Sequence, residues 1–348
     1  MRIALAGDVM LGRLVDKVLR QRPILSVWGD TLPLFAAADV RICNLECSLT
    51  MQRDPASLPS KEFRFRSDPA NVAALRLAGI DAVSIANNHV ADFGDAGVMD
   101  TVMTLDRADI AHSGAGASLE LASAAAMVHS RAGSVAMLAC TDNEPGWEAG
   151  PDRPGVRYLP IDPRDRRAVA LIDDVRRLRS HVDVVVVSLH WGPNWDGSPP
   201  PEHISFARTI IDAGADIVFG HSPHIVRGIE VYRRRVIIYS AGDFVDDYAV
   251  DPVEHNDWSC LVTVDIDERG LRRVLLHPVL IEDFAARRAH GQLAETIAAR
   301  IARRCRDLGT PCRWSRSAGA LVIRPLPRAG CGPPEVLATQ GTAARFPT

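Results

Sequence analysis

Short apolar runs, each closed by polar residues, recur along the chain. Arg2 to Asp8 and Asp39 to Glu46 are apolar up to an acid, and Ile80 to Ala86 runs into Asn87-Asn88-His89. Ser134 to Cys140 is similar, Val182 to Leu189 runs into His190, and Asp216 to Phe219 is expected to stop at Gly220, with His221 in the turn beyond. Runs of this length, rich in β-branched residues, predict buried strands. Between them lie stretches of helical period: Leu14 to Leu19, Gly94 to Arg107, Arg164 to Arg179 and Glu202 to Ala213. Asp68 followed by Pro69 predicts a capped helix with Val72, Leu75 and Ala78 on its apolar face, stopped by Gly79.

The pattern changes after residue 220. Val236 to Tyr239, Leu261 to Asp265 and Leu271 to Val279 predict strands joined by turns, and so suggest antiparallel hairpins. Phe63 to Arg66 is expected to be extended and Ile110 to His112 a short strand. Asp142 to Pro160 is expected to be a loop, and Gln292 to Leu308 a helix. From Arg324 the chain is rich in Pro, Gly and Ala, and a poorly ordered tail is expected there, after one domain over residues 1–323. Alternating strands and helices followed by strands predict an α/β fold with a sheet extended by hairpins.

Composition narrows the picture. The chain has 348 residues, is 47% hydrophobic and carries a formal charge of −3, which gives no basis for nucleic-acid binding. Asp8 interrupts the first apolar run too early for a signal segment, and no later run is long enough to span a bilayer. A cytoplasmic protein with no integral membrane association is therefore expected. Oligomeric state is not legible. The seven cysteines include no Cys-x-x-Cys, so reduced thiols are expected. Lys17 and Lys61 are the only lysines among 40 cationic residues, read as base-composition bias.

The polar residues that end the strands carry the candidate chemistry: Asp8, Glu46, Asn88 with His89, His190, and His221 with His224. In an α/β protein such ends line one edge, where ligands bind. Gly220 is expected to allow a tight turn that delivers His221 and His224 together, with Pro223 stiffening the link. Oxygen and nitrogen donors without thiolate suit one or two divalent ions, such as Mn²⁺, Fe²⁺, Zn²⁺ or Ca²⁺.

Gly7-Asp8-Val-Met-Leu-Gly-Arg13, Asn44-Leu-Glu46, Ala86-Asn-Asn-His89, Ser188-Leu-His190-Trp-Gly192, Gly220-His-Ser-Pro-His224 and Tyr239-Ser-Ala-Gly-Asp243-Phe resemble the CapA family. That family is named for poly-γ-glutamate capsule synthesis, within the calcineurin-like, metallo-dependent phosphatase superfamily. The resemblance covers about residues 1–285 and implies a four-layer α/β/β/α sandwich. It implies one metal on Asp8, Glu46 and His224, a second on Glu46, Asn88, His190 and His221, with Glu46 bridging, and His89 as general acid. Met10 stands where the wider superfamily has a histidine. Pro193-Asn194-Trp195 stands where the family often has an acid and a tyrosine.

Lys61 or Arg66, from a segment that resembles one near the family's site, is a candidate to hold a substrate carboxylate, the alternative being a solvated basic strand, and Arg13 is a similar candidate. Asn194 and Trp195 are expected beside the substrate. Asp92 and Asp243 are read as partners that orient histidines or as turn acids. Arg287, Arg288 and His290 form a basic cluster, read as surface. The expected function is metal-dependent activation of a carbonyl or carboxylate in a peptide or γ-glutamyl substrate, with Asp8 and His89 as catalytic residues. The alternatives are Cα epimerisation of a ribosomal peptide, phosphoester hydrolysis, and a non-catalytic part in a polymer-synthesis complex.

Overall fold

The structure is a computed structural model that describes residues 1–53 and 61–325. Two sheets face each other. The larger has ten strands, in order Arg313–Ser315, Ala320–Ile323, Gly270–Glu282, Trp258–Asp267, Arg2–Val9, Val40–Leu45, Ala82–Ser84 and Ala111–Ser113, with Asp243–Val245 and Ala285–Arg288 attached off this path. The smaller runs Ile229–Tyr232, Arg235–Ile238, Ile217–His221, Val184–His190, Gly133–Thr141 and Ala126–Ser130.

Strand periodicity explains the stacking. Ile3 and Leu5 point between the sheets, where they meet Val184, Val186, Ile217 and Phe219. Their neighbours Ala4 and Ala6 face the opposite way, into a core shared with Val98 and Leu105 of the helix Gly94–Arg107. Val185, Val187 and Leu189 likewise face out, onto Leu171 and Val175 of Arg166–Leu178 and Phe206 and Ile210 of Pro201–Ala213. Strands buried on both faces read as unbroken apolar runs, which is why these segments lack alternation. Helices outside, two sheets inside: the four-layer α/β sandwich is the observed architecture.

Local signals set the helix starts. The Asp165 side chain accepts the backbone N–H of Arg167, and Pro201 opens its helix at the first position. The helix Gly291–Asp307 inserts Ile297, Ile301 and Cys305 at the side of the intersheet core. The expected hairpin is the antiparallel pair Trp258–Asp267 and Gly270–Glu282. Arg235–Ile238, by contrast, pairs parallel with Ile217–His221 and antiparallel with Ile229–Tyr232. The loop expected over residues 142–160 holds a short 3₁₀ turn, Pro145–Trp147, and a two-residue strand, Gly155–Val156. The tail expected from Arg324 lies, from residue 326 on, outside the described residues.

Two expectations are corrected. The strand expected to stop at Gly220 continues through His221, whose backbone pairs in register with His190. Gly220 is therefore not a turn glycine. A Cβ there would stand 2.3 Å from the carbonyl oxygen of Tyr239 and 2.7 Å from Trp191 Nε1, so it is glycine because the neighbouring strand approaches so closely.

Candidate metal centre

The parallel strands of both sheets end at the same edge, which brings their polar ends together. Asp8 lies opposite Asp243 on one neighbouring strand and Asn44 on the other, with register shifts on both sides of it. Gly7 allows this approach, since a Cβ there would fall 1.7 Å from the carbonyl oxygen of Gly242. On the facing sheet, His190 and His221 share a register position, and their Nδ1 atoms lie 2.9 Å apart. The turn after His221 carries positive φ at Ser222 (103°) and His224 (61°), strained values for residues with side chains. The strained turn directs the backbone N–H of Ser222 to Asp8 Oδ2 at 3.2 Å.

Two groups of ligand atoms result, each within 4.8 Å of one another. The first is Asp8, His190 and His221; the second is Asp8, Glu46, His224 and Asp243. Asp8 belongs to both. Its Oδ1 is 3.6 Å from His221 Nδ1 and 4.0 Å from His190 Nδ1. Glu46 Oε1 lies 3.7 Å from His190 Nε2, and Asn88 Oδ1 lies 2.9 Å from that same nitrogen. The six expected ligands thus lie around one centre, and Asp243 joins them through a 2.9 Å hydrogen bond with His224 Nδ1. Asp8 is common to both groups, and Glu46, the bridge that the resemblance implies, belongs to the second and lies 3.7 Å from His190 of the first.

The chemistry of this donor set fits a cation. Glu46 Oε1 and Asp243 Oδ2 are buried and accept no hydrogen bond among the described residues. Burial pushes Asp8 up to about 6, against the pull of His224 and of bonds from Asn44 and Ser222. Burial, then the charge of Asp8, holds Glu46 well above the carboxylate range; burial, then Asp246 and Asp8, does the same for Asp243. Burial also pushes His221 down to about 3 and, together with His221, holds His190 well below the imidazole range. Neutral imidazoles and crowded carboxyls, all desolvated, form a buried Asp/His group suited to a divalent ion. Ser188 Oγ, 2.8 Å from His221 Nε2, orients that ring from behind.

His89 sits beside this group in a fixed pose. Asn87, itself bonded to the carbonyl oxygen of Leu45, accepts the backbone N–H groups of His89 and Val90 and so shapes the turn. The His89 ring stacks on Phe65 at 3.6 Å, and its Nδ1 lies 2.7 Å from Asp92 Oδ2. Asp92 also accepts the backbone N–H of Phe65 and the ammonium of Lys61, at 2.6 and 2.8 Å. Since a carboxylate so engaged only accepts, it assigns the ring proton to Nδ1 and leaves Nε2 basic. Burial outweighs Asp92 and pushes His89 down to about 4, so the ring is neutral at pH 7. A neutral ring takes a proton before it gives one.

The expected substrate residues divide. Lys61 bonds Asp92 and the carbonyl of Asn88, so it touches the site directly. Arg13 stacks over Phe65 and Phe63 at 5.5 Å and pairs with Asp247. Arg66 donates to the carbonyl of Thr50 at 3.2 Å. Trp195 lies 6.1 Å from the His224 ring, while Asn194 is exposed. Trp191 is core, bonded through Nε1 to the carbonyl of Tyr239. Arg288 and His290 face Asp30, on the surface. Tyr248 also reaches the group. Its OH is 3.5 Å from Glu46 Oε2 and its ring 5.1 Å from that of His224, but no pattern around it marks it.

Residues 2–248 match the family of bacterial capsule synthesis proteins PGA_cap. The chain belongs to that family, which lies in the metallophosphatase-like superfamily. It is 37% identical over 289 residues to a probable polyglutamine synthesis accessory protein of Mycobacterium tuberculosis, covering 71% of this chain and 74% of the relative. It is 33% identical over 279 residues to the PGA biosynthesis protein CapA of Bacillus subtilis, covering 80% of this chain and 70% of the relative. The capsule biosynthesis protein CapA of Bacillus anthracis is 26% identical over 329 residues, covering 92% and 77%.

Proposed function

We propose that this PGA_cap protein is a metal-dependent enzyme acting on an amide bond of a peptide or γ-glutamyl chain, in the making or trimming of a glutamate polymer. The observation that carries the reading is the pair of buried carboxylate oxygens, on Glu46 and Asp243, that have no hydrogen-bond partner among the described residues, beside the buried His190 and His221. The names of the relatives supply the polymer. Asp8, Glu46, His224 and Asp243 would hold one ion, and Asp8, His190 and His221, with Asn88 beside them, a second. Such an ion polarises a carbonyl and makes nearby water more acidic.

The chain's own residues do the rest. His89 Nε2 accepts a proton from the attacking group and passes it to the departing nitrogen, while Asp92 keeps the ring in one tautomer and steadies its charge once protonated. Phe65 fixes the ring plane and excludes water from one face. Lys61 opposes the proton through its charge, so His89 releases it readily.

The test is turnover of γ-glutamyl oligomers by the parent and by His89→Ala, followed by chain length and by deuterium incorporation from heavy water. The reading expects shortened chains with unlabelled Cα positions. It also expects a roughly 10²–10⁴-fold loss of turnover in His89→Ala, with metal content unchanged. Deuterium at Cα without shortening would replace it with proton exchange at Cα. Parent-rate turnover by His89→Ala would remove His89 from the mechanism.

A further inference from the structure

Beside His89 a pocket of about 380 Å³ opens between the segment around Lys61, the start of the helix Gly94–Arg107 and the loop of residues 144–155. Its lining includes three cations, Lys61, Arg64 and Arg153, and two acids, Asp95 and Glu144. Trp147 forms an aromatic wall, its ring 4.6 Å from Lys61 Nζ. Arg153 donates to the carbonyl of Glu148 at 2.6 Å and has no carboxylate within ion-pair distance among the described residues. Lys61 is mostly buried, with 18% of its side chain exposed, and its ammonium reaches Asp92, the carbonyl of Asn88 and, at 3.6 Å, Glu144 Oε1.

Glu144 is the unusual member. Its backbone is left-handed, with φ 51° and ψ 63°, a conformation that costs a residue with a side chain. Its carboxylate meets Lys61 at longer range than Asp92 does and is 39% exposed. Of the two acids on Lys61, Asp92 is buried and bonded to His89, and Glu144 is the exchangeable one. Lys61 is also one of two lysines among 40 cationic residues, in a chain that otherwise writes its positive charge as arginine. A compact ammonium can trade one carboxylate for another without the two-point geometry that arginine demands.

We propose that this pocket is the subsite for a substrate carboxylate one residue from the bond being processed, and that Glu144 fills its place at Lys61 until substrate displaces it. The inference rests on the peptide or γ-glutamyl reading of the metal centre. Its consequence is charge selection: a chain with free carboxylates is recognised next to His89, and an amidated chain is not. Arg153 supplies attraction at the mouth and Trp147 a flat wall for the chain's methylenes.

The test uses tri-γ-glutamate and its counterpart with every free carboxyl amidated as probes, with the full chain, by calorimetry after chelation and by turnover with metal restored. The proposal expects binding of the anionic probe alone, weakening as salt rises. Arg153→Glu should weaken it by roughly tenfold, and Glu144→Gln should tighten it by about two- to fivefold. Equal binding of the two probes, or Glu144→Gln binding no tighter than the parent, would overturn it. Turnover of both probes at equal kcat/KM would also overturn the subsite while leaving the amide-bond reading intact. Charge-selective binding without any turnover would leave the subsite standing and overturn that reading instead.

Discussion

At the scale of single residues, the centre is a set of groups that are costly to bury without a cation. Burial pushes Asp8 up to about 6 from its ordinary 3.8, outweighing the pull of His224 and the bonds from Asn44 and Ser222. That distance is worth on the order of 3 kcal/mol. A carboxyl raised on folding contributes its stability below the unfolded value and loses it as pH rises through the folded one. Glu46 and Asp243 carry the same sign. The buried histidines carry the opposite sign, but His89, His190 and His221 are neutral above pH 5 with or without an ion, so they cancel in a comparison of the two forms. The gap in Tm between metal-loaded and metal-free protein should therefore widen from pH 5 to pH 7. Scanning calorimetry of both forms across that range checks it, and a constant or narrowing gap would mean that these carboxyls do not face the ion.

At the scale of elements, the centre depends on where strands end and how closely they pass. The strand Ile217–His221 can reach His221 only because Gly220 lets the backbone of Ile238 and Tyr239 come alongside. Gly220→Ala should cost about 2–3 kcal/mol, as overpacking against backbone does, and should lower metal affinity in the same variant. Denaturant titration with parent-like midpoint would contradict this. The element pattern was legible from apolar runs: the helix Gly94–Arg107 falls where Gly94 and the periodic Val98 and Leu105 place it. The strand ends were legible too, because an apolar run ending in Asp8 or His190 has nowhere to put that residue but the sheet edge. Asp243 was legible as a histidine partner, and it bonds His224, but not as a member of the group itself, because it comes from a strand of three residues, Asp243–Val245, whose place beside Arg2–Val9 is set by packing across the whole sheet. The role of Gly220 was misread for the same reason: a glycine that admits a neighbour looks, in sequence, like one that makes a turn.

At the scale of the molecule, each sheet presents half of the site. Asp8, Glu46 and Asn88 come with the larger sheet, His190 and His221 with the smaller, and the intersheet core of Ile3, Leu5, Val186 and Phe219 holds the halves in place. No helix among the described residues is long and apolar enough to cross a membrane. The fold therefore puts its costliest feature, a buried cluster of ionisable groups, at the junction of its two main parts. Such a feature makes sense where a cation neutralises it, and the whole account turns on that cation. The most direct measurement is elemental analysis of gently purified protein beside the double variant His221→Ala, His224→Ala, with circular dichroism to confirm that both are folded. The parent should carry roughly one to two equivalents of divalent metal per chain and the variant almost none. A folded double variant retaining the parent's metal would contradict it.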